Sequence, residues 1–161
     1  MTFLRTLMHL ALIVWLGGIV FFAAVLAPTV FRVLPTREMA GNVVNPSLNS
    51  LHWMGLSAGL VFLLCSLTLR SIEFSRVKVL TAVNILALLM LALTAISQFS
   101  ISPRMRDLRA QMGNIDTVAT NDSRRIDFNR LHQWSTRSEA GVLLLGLVVV
   151  ALMARKDSAG R

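Results

Sequence analysis

An all-α integral membrane protein, a bundle of four transmembrane helices, is the fold class this sequence predicts, and three observations predict it. Of 161 residues, 55% are hydrophobic and only 15% are charged. The charges are also segregated: residues 6–31, 39–69 and 79–103 contain no Lys, Arg, Asp or Glu. A helix rises about 1.5 Å per residue, so about 20 apolar residues cross a hydrocarbon core of about 30 Å, and each run exceeds that length. A soluble chain hiding three such helices would need a far larger polar shell. The length fits one domain, residues 1–161.

The first helix is expected over residues 3–33. Arg5 precedes an apolar stretch much longer than the core of a cleaved signal peptide, and Pro28 follows the small-residue site Val25-Leu26-Ala27. This helix is therefore read as retained. Within it, Gly17 and Gly18 permit close packing. Pro35-Thr36 then breaks the chain, and Asn45-Pro46 restarts it, with proline in the first turn of a second helix over residues 46–70. The third helix is expected over residues 77–102. A helical extension over 103–112 follows it and stops at Gly113, a residue suited to a helix C-terminus.

The fourth helix, residues 122–155, needs more argument. Its uncharged run, residues 140–154, reaches only about 22 Å at the helical rise. The span must extend back through Trp134 and His132, carrying Arg137 and Glu139 to the headgroup region, from which long side chains snorkel. Asn121 or Asp122 can cap its start.

Four crossings put both termini on one face, side A, together with the loop 70–78. Side B holds the loops 32–45 and 104–130. Side A carries Arg5, Arg70, Arg76, Lys78, Arg155, Lys156 and Arg161, seven basic residues against nine on side B, so the count alone sets no orientation. Crowding of the side-A charges at the helix ends favours cytoplasmic termini. The net charge of +8 is spread over both faces, where it meets lipid headgroups, and gives no case for nucleic-acid binding. The bilayer is the partner this composition implies.

An internal repeat is also legible. Asn49-Ser-Leu-His52 matches Asn129-Arg-Leu-His132, and Trp53 and Trp134 follow. His9 precedes Pro28 by the interval at which Asn84 precedes Pro103. Two related helical hairpins would produce this pattern. His9 and Asn84 lie at like depths near side A and are expected to hydrogen-bond across helices.

Helical spacing gathers the polar residues. Asn49, His52, Gly55 and Gly59 share one face of the second helix. Gly55 and Gly59 form a small-xxx-small pattern, a helix-packing signature and a candidate homodimer contact. On the fourth helix Arg125, Asn129, His132 and Glu139 share a face. Counting back from Arg70 and Arg155 gives His52 and His132 nearly equal depth, so the two are expected to face one another near side B, with Glu139 beneath. Such a cluster has a bland reading, interhelical hydrogen bonding, and a functional one, because an ionisable residue in a span marks a functional site by default. The functional versions are passage of a solute or ion, a bis-histidine haem site, and a soft-metal site such as copper, with His52 and His132 the metal-ligand candidates. The one cysteine, Cys65, offers no disulfide or paired metal ligand. No catalytic set or nucleotide loop is present, so nothing supports an enzyme.

Several stretches carry a family resemblance: His9 with Trp15-Leu-Gly-Gly-Ile-Val-Phe-Phe22 and Ala27-Pro-Thr-Val-Phe31, then Leu51-His-Trp-Met-Gly55, Ile101-Ser-Pro-Arg-Met-Arg106 and Phe128-Asn-Arg-Leu-His132. Together the chain resembles the transmembrane protein 205-like domain family in its small bacterial form. That resemblance implies a four-helix membrane domain of undefined activity in a bacterial inner membrane. The opening helix is also similar to that of copper-resistance membrane proteins, where a histidine precedes Trp-Leu-Gly-Gly. Neither likeness supplies a catalytic residue. Binding or passage of a small solute or ion at the polar cluster is the expected function; the alternative is a structural or assembly role without transport, or a haem- or metal-binding protein.

Overall fold

The computed structural model describes residues 2–73 and 81–159. Among them there is no strand, and four helices are long and apolar enough to cross a membrane. We label these α1 (Thr2–Val33), α2 (Arg37–Glu73), α3 (Ala82–Met112) and α4 (Ser123–Ala159). The expected third-helix residues 77–80, and with them Lys78, lie outside the described residues, as do Arg76 and Arg161.

The helices pack as an up-and-down bundle. α1 lies along α2 and α3 along α4, while α2 meets α3 and α1 meets α4. Large apolar side chains point away from the bundle on every helix, among them Leu10, Ile13, Leu64, Leu88 and Leu144. A soluble fold would bury such residues, whereas lipid accepts them. The interior holds Trp15, Phe62, Met90, Val142 and Val149.

Trp15, 1% exposed, is the anchor of the α1–α2 seam. A β-carbon at Gly55 would lie 2.5 Å from Trp15 Nε1, and one at Gly59 would lie 2.5 Å from Trp15 Cζ3. The small-residue face of α2 therefore receives an indole of its own chain. This corrects the expectation that Gly55 and Gly59 form a contact between copies. Gly18 also serves packing, since a β-carbon there would meet Leu51 and Met54. Gly17 does not: it is exposed, with nothing within 4 Å of a β-carbon.

α1 and α3 share a plan. Each contains one π-helical turn, Phe22–Leu26 and Ser97–Ile101, and each turn ends two residues before a proline, Pro28 or Pro103. Proline cannot donate a hydrogen bond to the carbonyl four residues back and crowds it. That carbonyl belongs to Ala24 or Phe99, inside the widened turn in both cases. α2 and α4 are matched in length, 37 residues each.

Two expectations need correction, one on each side. The second helix begins at Arg37 and not at residue 46, running through Pro46. Thr36 Oγ1 accepts the Met39 N–H at 3.2 Å, so the helix is capped a full two turns earlier than the proline. Pro46 is exposed, at the rim of a cavity it shares with Ser102, Met105 and Arg106 of α3. The extra turns are held by Arg109, whose guanidinium packs on Gly41 and donates to the Glu38 carbonyl at 2.6 Å and Asn42 Oδ1 at 3.1 Å. The expected His9–Asn84 bond is also replaced. His9 Nδ1–H donates to the Arg5 carbonyl at 2.7 Å, and Asn84 Oδ1 accepts the Ser66 hydroxyl at 2.6 Å.

Candidate functional site

The α3 π turn positions the polar centre of the bundle. In a regular helix neighbouring residues point about 100° apart, but the wider turn leaves both Ser97 and Gln98 buried, at 0% and 6% exposure. Gln98 meets two residues of α2. Its Nε2–H donates to Asn49 Oδ1 at 2.8 Å, and its Oε1 accepts from His52 Nδ1–H at 3.0 Å. His52, 1% exposed, then reaches α4, where its Nε2 lies 2.8 Å from Glu139 Oε1. Four side chains from three helices thus form one continuous chain of hydrogen bonds.

The order of these bonds fixes the histidine. An amide oxygen only accepts, so Nδ1 of His52 must carry hydrogen. What varies is the proton between Nε2 and Glu139. An imidazolium–carboxylate pair and an imidazole–carboxylic acid pair have the same net charge, and moving that proton between the two puts no net charge into the bilayer interior. Adding or removing one proton leaves a unit charge there, at large desolvation cost. Ser97 Oγ is buried without a hydrogen-bond partner, one residue from Gln98.

Aromatic residues mark the depth. Trp53 is exposed beside His52 and meets Phe99 edge-on at 5.8 Å; Trp134 is exposed with Arg137 5.9 Å over its ring. Tryptophans concentrate at the membrane–water interface, so the chain of hydrogen bonds lies just inside the side-B boundary. Arg137 stays outside on its aromatic partner, while Glu139 turns inward at 15% exposure.

The remaining candidates gather elsewhere. His132 does not face His52. It is solvent-exposed on the face of α4 that also carries Glu139, stacked on Phe128 at 6.5 Å, seven residues from Glu139 and so about 10 Å nearer side B. His52 lies 18 residues before Arg70, whereas His132 lies 23 and Glu139 16 before Arg155, so with the two arginines level it is Glu139 that comes beside His52. A bis-histidine haem or copper pair is therefore not formed, since both ring nitrogens of His52 are engaged by Gln98 and Glu139. His132, Asn129 and Arg125 instead line a cavity of about 380 Å³ with Arg37, Arg109 and Asp116. The predicted cluster is thus two sites: Asn49, His52 and Glu139 in the span, and Arg125, Asn129 and His132 outside it.

Gln98 is the member that sequence reasoning missed. Its signal was available: a primary amide within an uncharged run, five residues before the α3 proline. The fold and this hydrogen-bonded centre define a class, the multi-pass membrane proteins with a buried ionisable pair. Residues 10–114 match the family described as a domain of unknown function (DUF4149), and the chain belongs to that family. The matched segment contains Asn49, His52 and Gln98 and ends before α4 and Glu139. No curated protein matches the chain, and no solved structure does.

Proposed function

We propose that this protein binds and passes a small solute or ion at the His52–Glu139 pair, and that protonation of the pair is coupled to that passage. The observation that carries the reading is the 2.8 Å contact between Glu139 and a fully buried histidine whose other nitrogen is already held. An inert packing contact between helices has no need of two titratable groups, and hydrocarbon makes them costly. Ser97 Oγ adds an unused polar atom at the same level.

Side A, with both termini, is assigned to the cytoplasm of a bacterial inner membrane. A relation to the transmembrane protein 205-like domain family belongs to this proposal, as does the short likeness of the opening helix to copper-resistance membrane proteins; neither names a ligand. A homodimer would widen so narrow a bundle, and it would use a face other than Gly55 and Gly59.

The test is proton flux into vesicles holding the purified protein, read by an enclosed pH-sensitive dye under an imposed potential. Wild type is expected to conduct or to exchange protons, and His52→Ala and Glu139→Gln to lose that activity. If both variants match wild type, the transport reading is lost and the hydrogen bonds are interhelical glue in a structural or assembly protein.

A further inference from the structure

The side-B cavity carries an assignment separate from the pair in the span. All four helices contribute to it: Phe31 from α1, Arg37 from α2, Met105 and Arg109 from α3, and Arg125 with His132 from α4. Three guanidiniums therefore converge on about 380 Å³ in which Asp116 is the one carboxylate lining the wall. Among the described residues no carboxylate lies within ion-pairing distance of any of the three. Arg109 and Arg125 each give part of the guanidinium to the chain: Arg109 to Glu38 and Asn42, Arg125 to the Val118 carbonyl. These bonds hold the two side chains in place, and each retains further N–H donors, since a guanidinium has five.

Three guanidiniums, two of them held in place with spare donors, against a single carboxylate on the wall suit a ligand with several anionic oxygens. We infer that this cavity binds a phosphate group, as free phosphate, a soluble phosphate ester or the headgroup of an anionic lipid. Arg37, Arg109 and Arg125 supply the charge. Asn129 and His132 are polar groups on the same wall, and Phe31, Met105 and Phe128 are the apolar surface a lipid's glycerol or acyl carbons would meet.

The test uses the full chain in neutral detergent, with its thermal midpoint followed on addition of inorganic phosphate, phosphatidylglycerol or phosphatidylcholine. A ligand that binds the native state raises the midpoint with the logarithm of its concentration relative to Kd. Phosphatidylglycerol or phosphate is expected to raise it, and phosphatidylcholine to do little. The apparent affinity should fall by about tenfold or more in Arg125→Gln and in Arg37→Gln, the loss of one charge-assisted bond, and should persist in Arg130→Gln, which lies on α4 outside the cavity. Among the described residues the Arg37 side chain makes no hydrogen bond or ion pair, so its variant stays interpretable if Arg125→Gln fails to fold. A gain with phosphatidylglycerol alone identifies a lipid headgroup, and a gain with inorganic phosphate identifies a soluble anion. No gain from either, or equal loss in Arg130→Gln, overturns the assignment. His52→Ala should leave the gain intact, which separates this result from the fate of the flux experiment.

Discussion

His52 Nε2 lies 2.8 Å from Glu139 Oε1 while its Nδ1 lies 3.0 Å from Gln98 Oε1, so a single imidazole joins α2 to α3 and to α4. The direct contact couples His52 and Glu139 energetically. Interhelical hydrogen bonds in membranes average about 0.6 kcal/mol and reach about 1.7 kcal/mol. A double-mutant cycle of His52→Ala and Glu139→Gln, read by unfolding in detergent, should give a coupling in that range. A cycle that closes to zero would show that the two residues do not meet.

Ser97 sets an opposite expectation. Its hydroxyl is fully buried and makes no hydrogen bond. A buried polar atom left in this state costs about 1–3 kcal/mol. Ser97→Ala should therefore keep or raise the unfolding midpoint, against the usual trend of buried substitutions. If it lowers proton flux while stabilising the protein, the hydroxyl serves the passing species. A clear loss of stability would mean that the hydroxyl has a partner in the native protein.

Two glycines, Gly55 in the α1–α2 seam and Gly17 on the exposed side of α1, yield a contrast. At Gly55 an added β-carbon runs into Trp15, which is buried on all sides and cannot swing away. Gly55→Ala is expected to destabilise by about 1–3 kcal/mol, as overpacking does. Gly17→Ala should be neutral or stabilising, because the site is open and alanine is favoured over glycine in a helix by about 1 kcal/mol. Thermal unfolding of the two variants side by side checks both. Equal effects would mean that Trp15 does not occupy the Gly55 face.

The four spans were legible in the sequence because hydrocarbon thickness imposes a length on any run that crosses it, and the charge-free segments show that length directly. Asn49 and His52 stood out as polar residues inside such a run, and Glu139 as an ionisable residue at the edge of the shortest one. Their partners were harder to read. Relative depth on two helices is a matter of a few residues: counted from Arg70 and Arg155, His52 lies 18 residues in, His132 23 and Glu139 16, and it is Glu139 that meets His52. The inward aim of Gln98 comes from a π turn, and a widened turn leaves no mark in apolar periodicity. The occupant of the Gly55 face was hidden for a related reason: small-xxx-small announces that something approaches closely, and a helix of another copy and a tryptophan of the same chain satisfy it equally. Pro46 suggested a helix start, yet Thr36 caps the helix ahead of it.

The start of α4 carries a pH dependence whose sign follows from Asp122. Its carboxylate accepts two bonds from the Arg124 guanidinium, at 3.0 and 2.7 Å, and one from the Arg124 backbone N–H at 2.9 Å. These bonds, that of the Arg124 side chain first, hold its pKa down to about 2 against an ordinary value of 3.8. A group depressed in the folded state contributes stability that is complete above its unfolded pKa and is lost as pH falls through the folded one. The first turn of α4 should therefore be intact above pH 4 and fray as pH falls from about 4 to about 2, through loss of the cap that satisfies the Arg124 N–H. Amide exchange at residues 123–126, corrected for its intrinsic pH dependence, reads this locally, apart from the other carboxylates of the chain. Asp122→Asn keeps a capping oxygen but cannot titrate. It should flatten the dependence, and an unchanged profile in that variant would assign the fraying to another carboxylate.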